Sequence, residues 1–236
     1  MEWMQSLFGK KMKYFLLVLV LLALGTCGVS AGMEFWKEWR TPPEQIVGEA
    51  LMYSVEAPSY SYISQTSRVH DGQEQVVSNL QGQKNGENIH LSGSVDIIDS
   101  QVDVYQIGDT FYRQDIVSGS WLQMKGQEEE ATERLLQEID PLGCLLYNAS
   151  AEVTYLDKEK VGDVKCRKYQ VRTTGENTFL TSAWNEFYYT VWIDKKHRLQ
   201  QVEVIASDHE NQAEQLKLEV VFDWDTPVAE ITAPVS

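Results

Sequence analysis

The sequence predicts an α+β domain, a large curved antiparallel sheet in the form of an unclosed half-barrel with two or more helices in its concave face, preceded by one N-terminal transmembrane or signal segment. Three observations carry this. Most of the chain after Pro58 alternates apolar and polar residues with period two, only two stretches carry helical periodicity, and an uncharged apolar run opens the chain behind a cluster of lysines.

The opening run is Tyr14 to Ala31, preceded by Lys10, Lys11 and Lys13. Eighteen helical residues cover about 27 Å, close to the hydrocarbon core of a bilayer, and the lysines place the N-terminus in the cytoplasm. The organisation read from this is a basic cytoplasmic N-terminus (1–13), a transmembrane anchor or lipoprotein signal (14–32), a juxtamembrane linker (33–41) and an extracytoplasmic domain (42–236). Three fates of the leader stay open. Phe35, Trp36 and Trp39 just outside it fit an uncleaved anchor, because amphipathic aromatics settle at the membrane boundary. Leu24-Gly25-Thr26-Cys27 has the Leu-x-x-Cys outline of lipidation on Cys27, although Thr26 stands where such sites carry Gly, Ala or Ser. Val29-Ser30-Ala31 fits cleavage after Ala31.

The roughly 200 remaining residues suffice for one domain with a sizeable core. The chain has 20 Lys and Arg against 35 Asp and Glu; without the leader's three lysines and Glu2 this becomes 17 against 34, a net charge of −17. Such a surface is repelled by phosphate backbones and anionic head groups, which argues against nucleic acid as a partner. Any contact with lipid is then expected to use apolar surface. Cys144 and Cys166 are the cysteines outside the leader. In an oxidising compartment they form a disulfide; without oxidative folding they are two buried thiols.

The elements follow in order. Pro42-Pro43-Glu44 opens a helix whose Ile46, Val47, Ala50, Leu51 and Val55 fall on one side, and Pro58 ends it. Period-two runs then start at Ser59, Gln73, Asn88, Gln101, Thr110 and Trp121, with turn signals such as Asp71-Gly72 and Asn85-Gly86 between them. Glu128 to Ile139 reads as a second helix, broken by Asp140-Pro141. Strands resume at Ala151 to Asp157 and Val164 to Arg172, separated by a turn over 158–163, and a polar loop runs from Thr173 to Asn185. The last strands are Glu186 to Asp194, Leu199 to Ser207 and Gln215 to Trp224. In the final one Leu216, Leu218, Val220, Phe222 and Trp224 share a face. Two helices cannot cover both faces of so large a sheet, so it curls around them.

Chemistry is mostly excluded. The chain has no G-x-S-x-G, H-E-x-x-H, P-loop or G-x-G-x-x-G pattern, and no motif implies a catalytic residue, metal or cofactor. His70, His90, His197 and His209 lack metal-ligand spacing, and Asp223 with Asp225 reads as a solvated strand end. The strand from Glu186 to Ile193 is apolar on both faces, either covered twice or lining a cavity. Tyr188 and Trp192, with Leu218, Val220 and Phe222 of the last strand, are the candidate ligand-binding residues for an acyl chain. Large apolar side chains also simply fill cores, which is the competing account.

A family resemblance rests on Val153-Thr154-Tyr155-Leu156 with Glu159-x-Val161-Gly162-x-Val164-x-Cys166-x-x-Tyr169, on Tyr189-x-Val191-Trp192-Ile193-Asp194, and on Phe222-x-Trp224-Asp225 with Ile231-x-x-Pro234. With the order helix, meander, helix, meander, these resemble the LolA/LppX-like lipoprotein-carrier superfamily of the bacterial cell envelope. The resemblance implies a non-enzymatic half-barrel whose cavity accepts the acyl chains of a lipid or lipoprotein. No arginine stands at a position matching a ligand-gripping residue. The alternative function is a cell-surface protein-interaction or sensory module, with an envelope protein as partner and a filled core.

The leader predicts a domain exposed outside the membrane. Protease added to intact cells freed of any wall should degrade it; survival until the membrane is lysed would mean inverted topology. Palmitate incorporation that disappears in Cys27→Ala would establish lipidation.

Overall fold

The computed structural model describes residues 41–96, 100–115, 118–124, 151–173, 184, 186–207 and 213–234. From Pro43 onward these fall in one compact unit. Helix α1 is Pro43–Glu56, with proline in the first turn, where its missing N–H is no loss, and Glu44 facing the positive end of the helix dipole. Its buried stripe is Ile46, Val47, Ala50 and Ser54. The stripe is rotated from the one the sequence predicts: Leu51 is half-buried and Val55 exposed. Ser54 takes the inner place because its Oγ donates to the Ala50 carbonyl at 2.8 Å and leaves no polar atom unpaired.

Eleven strands follow, β1 Ser59–His70, β2 Gln73–Asn85, β3 Asn88–Val95, β4 Ser100–Ile107, β5 Thr110–Gln114, β6 Trp121–Met124, β7 Glu152–Val161, β8 Val164–Thr173, β9 Glu186–Asp194, β10 Leu199–Ser207 and β11 Glu214–Asp223. They form one sheet in the order β6-β5-β4-β3-β2-β1-β11-β10-β9-β8-β7, with neighbours antiparallel throughout. Two meanders, β1–β6 and β7–β11, are thus joined by the pairing of β1 with β11. The sheet is unclosed, with β6 and β7 at its edges. This is the antiparallel half-barrel the alternation predicts. Among the described residues it carries one helix rather than two; the second expected helix, Glu128–Ile139, lies outside them, as do Cys27, Cys144, His209 and most of the loop before β9. No helix of the described residues is long and apolar enough to cross a membrane, and the run Tyr14–Ala31 lies outside them.

Turn chemistry fixes the register. Asp71 and Gly72 both have positive φ, 50° and 76°, as a tight two-residue hairpin with the right-handed twist of its strands requires. Two strands run further than their side chains imply. β2 continues past Leu80 to Asn85 because its polar end still completes the ladder with β1. β7 continues through Lys158 to Val161, so the expected six-residue turn shrinks to Gly162 and Asp163, and the ladder continues where composition reads as loop.

α1 packs against β7, β9 and β10. It shares one apolar core with Tyr60, Tyr62, Val171, Phe187, Tyr189, Val191, Val202, Val204, Val220 and Phe222, among others. The end of the sheet near α1 is tied by charge. Asp194, at the end of β9, accepts bonds on Oδ1 from the backbone amides of Lys196 and Arg198, and on Oδ2 from Arg198 Nε at 2.9 Å and Gln200 Nε2 at 3.0 Å. Arg198 Nη1 reaches Asp225 Oδ1 at 3.0 Å, which fastens the β9–β10 turn to the segment after β11. Asp194 and Arg198 are both buried, so losing either partner alone would cost about 3–5 kcal/mol.

Gly82 sits opposite Tyr62, and a Cβ there would overlap the Tyr62 ring. Gly82→Val should therefore destabilise the fold by about 1–3 kcal/mol in urea unfolding. Most of that loss should vanish in a Tyr62→Ala background; an equal loss in both backgrounds would rule out the ring overlap as the cause.

Candidate functional site on the inner face of the sheet

Residues directly opposite across antiparallel strands share a face, so the register sorts every side chain. One row runs Leu80, Ser64, Val220, Val202, Val191, Tyr169. The next runs Ser78, Thr66, Leu218, Val204, Tyr189, Val171. A third brings Arg68, Leu216, Ala206 and Phe187 together. These rows belong to the face that carries α1, since they share its core.

Coverage of this inner face is uneven. Val220 and Phe187 have no accessible surface, and Val202 and Val204 have 1% and 2%. Side chains with no area open even to water line no cavity; here the core is filled. Leu80, Val102, Leu216 and Leu218 differ. They pack against the core but are only partly buried. Val102 joins the first row through Gly93, which stands between it and Leu80. The apolar floor therefore continues beyond the helix-covered part onto β2, β4 and the start of β11, where water still reaches it.

The five sequence-predicted ligand residues fall on two faces. Leu218, Val220 and Phe222 lie on the inner face, the first partly open and the other two buried. Tyr188 and Trp192 lie on the opposite face of β9, and the structure does not bring them to the other three. Their neighbours account for them there. Trp192 Nε1 donates to Glu159 Oε2 at 3.1 Å, Lys168 Nζ donates to the same oxygen at 3.0 Å, and that ammonium lies 4.9 Å from the centroid of the Trp192 ring. The two donors, the Lys168 bond first, hold the Glu159 carboxyl below its usual range. The Arg172 guanidinium lies 5.4 Å from the Tyr188 ring. Each such cation–π contact is worth about 0.5–1 kcal/mol at an exposed site. Leu80, Val102 and Leu216, absent from the sequence-derived site, have as their only signal the alternation of their strands.

The described histidines and Asp223 are occupied. His90 Nε2 lies 2.8 Å from Asp103 Oδ1 and stacks on Tyr105 at 4.0 Å, while His70 neighbours Asp71 and Glu214. His197 Nδ1 meets Glu49 of α1 at 3.1 Å. Asp223 Oδ1 accepts from the backbone amides of Asp225 and Thr226, bonds that hold its carboxyl below the usual range, with the Thr226 side chain contributing most. Among the described residues no three His, Cys, Asp or Glu are grouped to hold a metal.

Cys166 is a buried free thiol on the outer face of β8, opposite Asp194, and burial pushes its pKa up. Cys144 lies outside the described residues; the Cys144–Cys166 pairing stays a proposal, checked by mass mapping of unreduced protein for linked peptides. In reduced protein at neutral pH, Cys166 should resist alkylation until urea unfolds the domain. Rapid labelling of the folded protein would contradict its burial.

Known structures place this arrangement. The crystal structure of the lipoprotein LppX from Mycobacterium tuberculosis aligns with 79% of this chain and 98% of its own, at 14% identity and a TM-score of 0.50. LprF from Mycobacterium bovis aligns with 79% and 94%, at 9% identity and a TM-score of 0.51. No protein-family model matches the sequence, and no curated protein matches it. At these identities the likeness is one of fold, and with the two-meander sheet and inner helix it leads to one statement: the chain has the LolA/LppX-like fold.

Proposed function

We propose that the domain is a non-enzymatic, membrane-tethered extracytoplasmic module that holds an apolar ligand, a lipid or the acyl chain of a lipoprotein, against the inner face of its sheet. The carrying observation is the row of partly covered apolar side chains, Leu80, Val102, Leu216 and Leu218, continuous with a filled core. Apolar surface left wet beside a packed core has a use when something else covers it. The shared fold supports this reading, and the lysine-flanked leader supports the tether.

The energetics are sufficient. Each CH₂ taken out of water contributes about 0.8 kcal/mol, so ten carbons give about 8 kcal/mol before ordering costs, near the micromolar range. No charged clamp is needed for binding of that strength. A second reading, a protein-interaction module, draws on the filled core under α1 and on Met52, Tyr53 and Val55, which α1 exposes.

Full-length protein in mild detergent should co-purify with lipid or bind a fluorescent fatty-acid analogue. Leu218→Asp and Leu80→Asp should each weaken that binding about tenfold or more, while circular dichroism and melting stay close to wild type. Ligand-free protein in native mass spectrometry, with no binding across a lipid panel, would favour the interaction module.

A further inference from the structure

Helix α1 has two faces of the same period. Ile46, Val47, Ala50 and Ser54 form the stripe that packs on the sheet. Gln45, Gly48, Glu49, Met52, Tyr53 and Glu56 follow at i, i+3, i+4, i+7, i+8 and i+11, again one side of a helix, and they line a groove of about 540 Å³ on its far side. Met52 is 58% exposed, and Val55 beside it 49%. Tyr53 meets the Trp224 ring edge-on at 6.3 Å and is still 47% exposed.

Gly48 adds a second observation. Its backbone is helical, and a Cβ built on it would meet nothing within 4 Å among the described residues. No turn, positive φ or internal contact calls for glycine there, and glycine inside a helix is destabilising relative to alanine. What the missing side chain does supply is room for close approach from outside.

The charges around the groove have one sign. α1 has no lysine or arginine, and Glu44, Glu49 and Glu56 are all exposed. Glu49 is held on the rim: its Oε1 accepts from Gln45 Nε2 at 2.8 Å, and its Oε2 lies 3.1 Å from His197 Nδ1. Glu56 enters no ion pair among the described residues, and it stands at the C-terminal end of the helix, where the dipole disfavours an acid. A cation brought against it from outside removes that conflict.

We infer that this groove docks a basic amphipathic helix of a partner protein, with its apolar stripe on Met52 and Tyr53, its backbone close to Gly48 and its lysines or arginines toward Glu49 and Glu56. Flexible methionine surfaces rimmed by acids suit such helices. A second copy of this chain is a poorer occupant because it sets acid against acid, and an anionic membrane is repelled by the same glutamates. The groove shares no residue with the apolar floor on β2, β4 and β11, so the inference goes beyond the proposed holding of lipid and does not depend on it.

The test uses full-length protein in a nonionic detergent, with empty micelles as the blank. Fluorescence anisotropy follows two labelled helical peptides of equal length, one of leucine and lysine and one of leucine and glutamate in the same amphipathic pattern. Wild type should prefer the lysine peptide about tenfold or more. Gly48→Leu fills the groove and should weaken that binding about tenfold while the thermal midpoint holds or rises, since leucine is the better helix former. Met52→Ser should weaken it likewise, and Glu56→Gln should reduce its salt dependence. Neither Gly48→Leu nor Met52→Ser should change binding of the fatty-acid analogue. Failure to bind the lysine peptide, or equal affinity for both peptides, overturns the inference. Lysine-peptide binding unchanged in Gly48→Leu and Met52→Ser also overturns it, and assigns the attraction to the acidic surface at large. A dimer in sedimentation that Gly48→Leu dissolves overturns the partner in favour of a second copy. Thiol labelling of Met52→Cys separates the other occupants: slow reaction in detergent overturns the partner in favour of a segment of this chain, and protection gained only in phosphatidylcholine vesicles overturns it in favour of the membrane.

Discussion

The pairing of β1 with β11 is the constraint on which the rest depends. Each meander is a chain of hairpins that forms from local contacts, but neither is a complete layer alone. Only when residues 61–70 pair with 214–223 do the two halves become one sheet. The pairing also puts Tyr62 opposite Phe222 and Ser64 opposite Val220, the centre of the core under α1. Without it two long edges would be open, each a template for pairing with another chain. The closure spans about 150 residues of chain, an entropic cost that must be met before the long-range contacts stabilise anything.

That central seam is reinforced at both ends by polar groups. Arg68 meets both Glu214 oxygens, at 3.0 and 2.9 Å, at the end of β1 where β11 begins. At the other end the Asp194–Arg198–Asp225 relay joins β9, β10 and the segment after β11, and Trp224 Nε1 donates to the Leu199 carbonyl at 2.6 Å. The final segment is drawn across the β2–β3 turn by Asn85 Nδ2, bonded to the carbonyls of Val228 and Ala229, and by Asn88 Nδ2, bonded to that of Ile231. Both meanders are therefore locked to the same C-terminal tail. A surface pair such as Arg68–Glu214 is worth little, whereas the buried Asp194–Arg198 pair is costly to break.

The two faces of the sheet solve different problems. Around β8 the outer face sets cations against acids and over aromatic rings, so that Trp192 and Tyr188 are held by Lys168 and Arg172. The inner face packs α1 into one part and leaves another part apolar and incompletely covered. At its β7–β8 corner it sets cation beside cation. The first arrangement is what stability alone selects. The partly wet apolar side chains are not, which is why the proposed function rests on them.

Much of this was legible in the residues, and the limit is instructive. Strict alternation in β11 identified Leu216, Leu218, Val220 and Phe222 as one face, because the period of a strand is a property of the backbone itself. In β9 the same rule separated Phe187, Tyr189, Val191 and Ile193 from Tyr188 and Trp192, but it could not say which set met α1; both are apolar, and only the pairing of Val191 with Val202 and Tyr169 settles it. Lys158 to Val161 read as a turn because composition there is that of a loop, and strand continuity came from ladder bonds with β8 that no local pattern encodes. With that continuity hidden, the pairing of Lys158 with Arg167 and of Lys160 with Lys165 was hidden too. The helix stripe was rotated for a related reason: Ser54 is buried through a bond to its own helix backbone, which hydropathy does not register. The sequence by itself determined the N-terminal helix, the succession of strands after it and the alternation along each, since these follow from local periodicity and turn chemistry. The tertiary structure alone decided which face is covered, how far it is covered and which charges stand opposite one another, because those depend on registers between residues far apart in the chain.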